Sequence, residues 1–403
     1  MFVGKTLTNI RLLSGYTRKQ LADMLQLTEQ AIWQYENGYL APKLEVVNEL
    51  KRIFGVKSKY FYTDDILSQQ SPEEINQNFI AYRATTLNSI QKTQYEAKHL
   101  EFINAFLKVI EQNLSFPKNH IYDLREKVIG IISDDSYERR EKIIHAANYA
   151  REYLGLSNIG NSNLLFVLEK KGTFIFEKAI GEKIDAYSVW SESGRPYIIL
   201  GNIKKSAVRR NFDLAHELGH LLLHYKVEFS SLDKKSYREY ENEANLFAAF
   251  FLLPEKAFKA DFLSLTKTSN PDSYVEMKKK WFVSIQALAR HASSLDLLSY
   301  QQYRYFNMMI NKKGYRIIEP LDTELKVARP GKVKSILQLL FENRRITLNS
   351  LLNTFSVDKE FLSKLLGIED AFFDMHMVNG TRKFNVTDLT SCGKKSPSSL
   401  GGG

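Results

Sequence analysis

Five consecutive residues, His216-Glu217-Leu218-Gly219-His220, constrain the chain more than any other feature of its sequence. Residues four positions apart lie on one face of an α-helix, so a helix through this stretch directs both imidazoles at one point. Two histidines in this spacing can hold one metal ion, and the glutamate beside the first is then placed to take a proton from a water molecule on that ion. We therefore predict a helix here, with His216 and His220 as zinc ligands and Glu217 as the catalytic base.

A third zinc ligand is expected from the helix-like segment REYENEANLFAAFFLLP, which follows about 20 residues later. A zinc ion that is held by two histidines and open to water takes one more protein ligand. Large apolar side chains mark the buried face of this helix: Leu246, Phe247, Phe250 and Phe251. Glu243 shares that face, and a buried carboxylate is costly unless it is paired or bound to a metal. We predict Glu243 as the third ligand and Glu239, one turn earlier, as the alternative, with Glu241 pointing elsewhere.

The residues around the motif leave the rest of the site open. His224 lies one turn beyond His220, where we expect it to support a ligand or to end the helix rather than to contact substrate. No residue is singled out to stabilise an oxyanion, and the candidates are Tyr225, His224 and Arg210. The strand around Tyr197–Leu200 is expected to pair with an extended substrate, since strand addition holds a backbone while reading little of its sequence.

The first 62 residues predict a compact helical domain. Thr17 and Gln20 form a capping-box pattern that opens one helix, and after a short break Thr28 caps a second. The second helix ends at Asn37-Gly38, a pair that tolerates the left-handed conformation. Its inward side chains are Ile32 and Tyr35, and its outward ones are Glu29, Gln30, Trp33 and Gln34. Two short helices with polar residues at the start of the second are what insertion into the major groove requires.

The pattern along the chain predicts a multidomain, mainly α protein with one mixed α+β domain. Three stretches are interpreted as strands: LLFVLEKKGTFIF (164–176), then AYSVW and PYIIL (186–200) joined by a turn. The predicted parts are a helical domain at 1–62, a helical connector at 63–135, a peptidase domain at 136–265, a helical segment at 266–320, a small helical module at 321–390 and a disordered tail at 391–403. In the fourth part Ser284 could open a second helix-turn-helix with Gln286 and Arg290 outward, but a packing helix is favoured.

Two stretches resemble known families. RKQLADMLQLTEQAIWQYENGYLAP resembles the repressor-type (XRE) helix-turn-helix family, with Gln26 where that family usually has glycine. By position, the residues that would face double-stranded DNA are Thr28, Glu29, Gln30, Trp33 and Gln34. RRNFDLAHELGHLLLH followed by ENEANLFAAFFLLP resembles the ImmA/IrrE metallopeptidase family, in which HExxH and a downstream glutamate bind zinc. The two resemblances cover about residues 1–320 and imply a zincin-like peptidase domain with Zn²⁺ as its cofactor.

The composition agrees with these expectations and excludes several classes of protein. The net charge of +10 and pI near 9.2 are compatible with a nucleic-acid partner. A single cysteine, Cys392, excludes an internal disulfide framework and any cysteine-rich metal site. No apolar run is long enough to span a membrane, and the first residues lack the features of a signal peptide, so we expect a cytoplasmic protein without a membrane partner. The sequence leaves the oligomeric state open, a homodimer included.

The resemblance implies a regulatory protease that cleaves a repressor protein of a phage, mobile-element, defence or stress-response operon. A second hypothesis is a helix-turn-helix regulator whose peptidase fold senses a metal or ligand and cuts nothing. Retention of Glu217 favours the protease, since a sensor needs the ligands but not the base. A third is the antitoxin or immunity side of a defence operon, and the first domain could instead be a protein-binding module.

Overall fold

The computed structural model shows a multidomain, mainly helical protein built around one small mixed sheet, as the sequence predicts. The described residues are 1–63, 81–82, 90–156, 160–178, 186–201 and 206–378. The predicted tail at 391–403 and the end of the predicted C-terminal module, 379–390, lie outside them. Among the described residues, no helix is both long and apolar enough to cross a membrane.

The first domain has the predicted helix-turn-helix geometry. Thr17 and Gln20 complete a capping box, and the Thr28 hydroxyl accepts a hydrogen bond from the Ala31 amide at 3.2 Å. Between the two helices Gln26 adopts the left-handed conformation with φ of 54°, which explains why glycine is usual there. The helices are α1 (Gly4–Leu13), α2 (Arg18–Leu25), α3 (Glu29–Glu36) and α4 (Leu44–Phe54), followed by a 3-10 turn at Ser58–Tyr62.

A buried ion triad fixes the second helix of this pair. The Glu36 side chain is 1% exposed, and its two oxygens accept hydrogen bonds from Arg11 and Arg18, each at 2.5 Å. These arginines lie on α1 and α2, so α3 is held to both neighbours. The outward face of α3 is therefore presented by a rigid domain rather than by a loose helix.

The sheet has the strand order β1-β3-β4-β2. Its strands are β1 (Ala81–Tyr82), β2 (Phe174–Lys178), β3 (Ala186–Trp190) and β4 (Pro196–Gly201). β2 runs parallel to β4, and the β1–β3 and β3–β4 pairs are antiparallel. β3 and β4 form the predicted hairpin, closed by the Ser191 amide on the Arg195 carbonyl at 2.9 Å. Side chains alternate between two buried faces, so the sheet separates two apolar cores.

One core contains the helices of the predicted peptidase region and the segment after it. Ile175, Ile198 and Leu200 face this side of the sheet. The helices are α6 (His120–Ile132), α7 (Arg139–Tyr153), α8 (Leu164–Lys170), α9 (Ala207–Leu223), α10 (Lys234–Leu252), α11 (Glu255–Leu263), α12 (Val275–Trp281), α13 (Ile285–Ser294) and α14 (Tyr300–Lys312). Two 3-10 turns, Phe229–Ser231 and Pro271–Tyr274, complete this half.

The predicted strand at 164–176 is wrong in its first half. Residues Leu164–Lys170 form α8, and β2 begins only at Phe174. Leu164 and Leu168 are fully buried one helical turn apart, a spacing that fits a helix as well as a short apolar strand. Gly172, with φ of 123°, makes the turn between the two elements.

The other core contains a helix that the sequence analysis placed in a connector. α5 (Ile90–Glu111) is buried at every position from Phe102 to Leu107 and packs beside the helix-turn-helix domain and the sheet. The interpretation of 63–135 as a connector without a core role is therefore wrong for α5. A helix that is apolar all round must be buried, and the run FINAFLKVI shows that pattern. Residues 64–80 and 83–89 of the predicted connector lie outside the described residues.

The C-terminal helices share this core with the first domain. They are α15 (Lys332–Glu342), α16 (Leu348–Phe355), α17 (Lys359–Leu366) and α18 (Asp370–Val378). Val56 and Val357 form an isolated antiparallel bridge, and the Lys57 ammonium donates to the Asn353 side chain at 2.7 Å. The helix-turn-helix domain is thus joined to the C-terminal helices by backbone and side-chain contacts.

The possible second helix-turn-helix at 266–320 is a set of packing helices. Ser284 caps α13 as predicted, with its hydroxyl accepting from the Ala287 amide. Ile285 and Leu288 are fully buried, and the Gln286 amide donates to the Tyr315 carbonyl at 3.1 Å. Because the side chain of Gln286, predicted to point outward, is engaged with Tyr315, the structure favours the packing interpretation.

Candidate functional site

Close approach of α9 and α10 creates the candidate site. A Cβ atom on Gly219 would lie 3.1 Å from the Phe247 ring and 3.4 Å from the Ala244 Cα, so the two helices nearly touch at this glycine. Ala244 and Ala248 are fully buried on the facing side of α10. This close approach at Gly219 brings Glu241 on α10 within reach of the histidines on α9.

Three side chains converge at one point. The Nε2 atoms of His216 and His220 are 3.1 Å apart, and the Glu241 oxygens lie 3.2 Å from His220 Nε2 and 3.5 Å from His216 Nε2. Two ligand atoms at about 2.0–2.1 Å from a tetrahedral ion lie about 3.3–3.4 Å apart. Both the spacing and the two-nitrogen, one-oxygen donor set therefore fit a zinc ion with a fourth position open to solvent.

Glu241 occupies the position for which the sequence analysis chose Glu243, and this corrects that choice. Glu243 instead contacts Arg139 and His224, and Glu239 is exposed on the surface of α10. The large apolar residues of α10 did not identify the ligand because they mark a broad buried side and not the part of it that lies next to the histidines. The contact with α9 is made through Ala244 and Phe247, and Glu241, three residues before Ala244, points toward the histidines.

The outer nitrogens of both histidines are held by hydrogen bonds. His216 Nδ1 lies 3.1 Å from the Asn245 side-chain oxygen, and His220 Nδ1 lies 3.0 Å from His224 Nδ1. His224 Nε2 lies 2.9 Å from a Glu243 oxygen, which can only accept. A proton on each outer nitrogen of the two HExxH histidines leaves both Nε2 lone pairs facing Glu241.

Such a set of converging acceptors requires a positive charge between them. Burial raises the pKa of Glu241, but the neighbouring His216 and His220 rings outweigh it and hold that pKa well below its usual range. The carboxylate is therefore ionised at physiological pH. Burial also lowers the pKa of His224 to about 4, so this ring is neutral.

Glu217 lies beside this cluster but outside the ligand set. Its side chain is buried, and the Ser188 hydroxyl on β3 donates to its Oε2 at 2.7 Å. Burial raises the pKa of Glu217 to about 7, against the lowering effects of His220 and of the Ser188 hydrogen bond. A carboxyl group with a pKa near 7 is suited to taking and returning a proton.

A cleft of about 240 Å³ opens beside the cluster. Its wall is lined by Trp190, His220, Tyr225 and Phe229, among other residues of β3 and of the segment after α9. The Arg125 guanidinium stacks on the rings of Trp190 and Tyr225, at 4.3 and 4.7 Å from their centres, and fixes this wall.

The three oxyanion candidates separate in the structure. Tyr225 and His224 line the cleft, and His224 is already bonded to Glu243. Arg210 is buried away from the cleft, where it bonds Glu177 and the Gly201 carbonyl.

The strand predicted to pair with substrate is not free to do so. β4, which contains Tyr197–Leu200, is paired with β2 on one edge and with β3 on the other. Residues 188–192, at the end of β3 and in the turn after it, line the cleft instead. β3 is itself paired with β1 at Tyr187 and Ser188, so an extended substrate in the cleft would meet residues 189–192 rather than β4.

The outward face of α3 carries the predicted DNA-facing residues. Thr28, Glu29, Gln30 and Trp33 are exposed, and Gln34 is half-buried. Trp33 stacks on the Tyr39 ring, with centroids 5.2 Å apart. The inward residues Ile32 and Tyr35 are buried as predicted.

Comparison with known families agrees with both halves of this description. Residues 168–293 match the family described as IrrE N-terminal-like domain, a metallopeptidase family, and this stretch contains the whole His216, His220 and Glu241 cluster. The chain carries an IrrE N-terminal-like domain. Residues 7–61 match the family described as Helix-turn-helix. A search of curated proteins returns no significant match to the chain.

The chain is thus a DNA-binding regulator with a peptidase-like domain, and the predicted resemblance to both families is confirmed. Sequence reasoning missed three residues of the IrrE-like site: Ser188, Glu241 and Asn245. Ser188 could have been noticed as the one small polar residue within the apolar strand AYSVW. Asn245 and Glu241 have no such signal, because the same helix carries several other polar residues around them.

Proposed function

We propose that the IrrE-like domain is a zinc-dependent endopeptidase that cleaves a repressor protein and thereby regulates transcription. The observation that carries the proposal is the convergence of His216, His220 and Glu241 next to a buried, uncoordinated Glu217 at the wall of a cleft. His216, His220 and Glu241 would hold the ion.

Each residue near the ion then has a definable part in peptide hydrolysis. A bound zinc ion supplies Lewis acidity, which polarises a carbonyl and acidifies water. Glu217 would accept a proton at Oε1 while Ser188 holds its other oxygen, and would pass the proton to the leaving amine. The wall made by Trp190 and Tyr225 would exclude water from one side of the substrate.

The helix-turn-helix domain supports a DNA-bound protein as the substrate. α3 carries two amide side chains, the exposed Gln30 and the half-buried Gln34, that can both donate to and accept from adenine. We propose that Thr28, Glu29 and Trp33 complete this surface. A peptidase held on DNA meets proteins bound nearby at a high effective concentration, even where its affinity for them is weak.

Cleavage is tested with Glu217→Gln, which should keep zinc and fold but lose activity because an amide cannot accept the proton. Cells expressing wild type, Glu217→Gln or the exposed control Glu239→Gln are compared by mass spectrometry of protein N-termini. If the proposal is right, new N-termini inside a DNA-binding protein appear in cells with wild type and in cells with Glu239→Gln. They do not appear in cells with Glu217→Gln. Loss of a general base costs roughly 10²–10⁴ in rate, which is enough to remove these products.

The sensor hypothesis predicts a different result. The same cells are compared by RNA sequencing, with His216→Ala added. If Glu217→Gln regulates the same genes as wild type while His216→Ala does not, the metal is sensory and the peptidase proposal is wrong.

DNA recognition is tested by selecting binding sites from random duplex DNA with the full-length protein. Wild type should enrich one motif and lose affinity steeply with salt, because phosphate contacts release counterions. Joint replacement of Gln30 and Gln34 with alanine should abolish enrichment and leave weak, salt-sensitive binding. Absence of any motif with wild type at low salt would instead indicate a protein-binding module.

A further inference from the structure

His224 is bonded at both ring nitrogens although it is not part of the three-residue ligand cluster. Its Nδ1 lies 3.0 Å from His220 Nδ1, and its Nε2 lies 2.9 Å from a Glu243 oxygen. The ring is almost fully buried and packs edge-on against Tyr240, with centroids 4.9 Å apart. Such a ring has one position and one orientation available to it.

The direction of each hydrogen bond in this series follows from Glu243, the acceptor at its end. A carboxylate only accepts, so His224 Nε2 carries the proton that it donates to Glu243. A neutral His224 then has a lone pair on Nδ1, which accepts the Nδ1 proton of His220. With its proton on Nδ1, His220 must present a lone pair at Nε2, on the side that faces His216 and Glu241.

Glu243 is itself fixed from a third helix. Arg139, at the start of α7, donates two parallel hydrogen bonds to it, from Nε at 2.7 Å and from its terminal nitrogen at 2.6 Å. A bidentate pair of this kind sets orientation as well as distance. The series of hydrogen bonds from Arg139 through Glu243 and His224 to His220 therefore connects α7, α10 and α9.

We propose that Arg139, Glu243 and His224 form a hydrogen-bonded relay that positions His220 and sets its tautomer for metal binding. The proposal rests on the zinc centre proposed above. His224 and Glu243 are positioning residues in it and not ligands, since His224 approaches the ring of His220 from the side opposite Nε2. Partners of this kind typically contribute 10–100-fold to metal affinity.

The test measures the zinc dissociation constant of the full-length protein by competition with a chromogenic chelator. His224→Ala and Glu243→Ala should each weaken zinc binding by about 10–100-fold, whereas the exposed control Glu239→Ala should leave it unchanged. Glu241→Ala removes a proposed ligand, so it should bind zinc more weakly than either of these variants. His224→Asn keeps an acceptor near the former Nδ1 position, so it should lose less affinity than His224→Ala.

Two further measurements separate a relay from a merely structural role. The effects of His224→Ala and Glu243→Ala should not add in the double variant, because Glu243 acts through His224. Thermal unfolding of the metal-free proteins reports packing defects independently of zinc. If His224→Ala fails to fold, Glu243→Ala, at a partly exposed side chain, carries the test by itself.

Wild-type zinc affinity in His224→Ala and Glu243→Ala would overturn the relay while leaving the zinc centre intact. Additive losses, or equal losses in His224→Asn and His224→Ala, would also overturn it. A wild-type protein that binds no zinc would overturn the relay together with the proposed function.

Discussion

Removing the charge of Glu217 should stabilise the metal-free protein, and increasingly so as the pH rises. Glu217 is 1% exposed, and burial raises its pKa from 4.5 to about 7. In the unfolded chain the carboxyl loses its proton near pH 4.5, whereas in the folded protein it keeps the proton to about pH 7. Between these values the folded state binds more protons, so the free energy of unfolding falls as the pH rises.

The size of the effect follows from the two pKa values. One pH unit corresponds to about 1.4 kcal/mol, so the ionised carboxylate costs the folded protein about 3 kcal/mol above pH 7. Glutamine has a similar shape and does not titrate. The free energy of unfolding of Glu217→Gln should therefore match that of wild type near pH 4.5 and exceed it by about 3 kcal/mol at pH 8.

Urea unfolding in the presence of a chelator, at pH values from 4.5 to 8.5, measures this difference. Trp190 and Trp281 lie in or beside the IrrE-like core and report its unfolding by fluorescence. Glu239→Gln makes the same chemical change at an exposed position of α10 and should show no such pH dependence. A constant difference between Glu217→Gln and wild type across the pH range would refute the reasoning. Added zinc should narrow the difference, because a nearby cation favours the ionised carboxylate.

Three other outcomes are expected. Ser188→Ala removes a hydrogen bond that lowers the pKa of Glu217. The acidic limb of the pH–rate profile for cleavage should therefore move up by about one pH unit, and the rate should recover at high pH. An equal loss of rate at all pH values would contradict this. Gln26→Gly, at a φ of 54°, should raise the free energy of unfolding of the first domain by about 0.5–1 kcal/mol in urea titrations, whereas no gain would mean that Gln26 is not strained. Glu36→Gln leaves the buried Arg11 without its counter-charge. It should lower the free energy of unfolding of the first domain by about 3 kcal/mol and abolish specific DNA binding in gel shifts. An unchanged stability would show that the ion triad is dispensable.

Local signals in the sequence were sufficient wherever a structure depends on neighbouring residues. The capping box at Thr17 and Gln20, the N-cap at Thr28 and the outward face of α3 all follow from spacing along one helix. The HExxH spacing likewise placed His216 and His220 on one face of α9, because helical geometry alone determines that relation.

The apolar pattern was less decisive where a segment is short or buried on all sides. α8 and β2 lie within one apolar run, and periodicity does not separate a buried strand from a buried helix over seven residues. The sequence analysis placed α5 in a connector because the sequence of one helix does not show which distant segments pack against it. Its burial depends on the sheet and on the C-terminal helices, which are distant in the chain.

The sequence by itself determined the residues that belong to the helix of the HExxH motif and to the second helix of the helix-turn-helix pair. Only the tertiary structure decided which carboxylate lies against the two histidines, because Glu241 and Glu243 differ by two positions on one helix and hence by the direction in which they point. That direction is fixed by the close contact of Gly219 on α9 with Ala244 and Phe247 on α10. Long-range packing of this kind leaves no periodic signal in either segment, so a ligand that depends on it becomes visible only when the two helices are seen together.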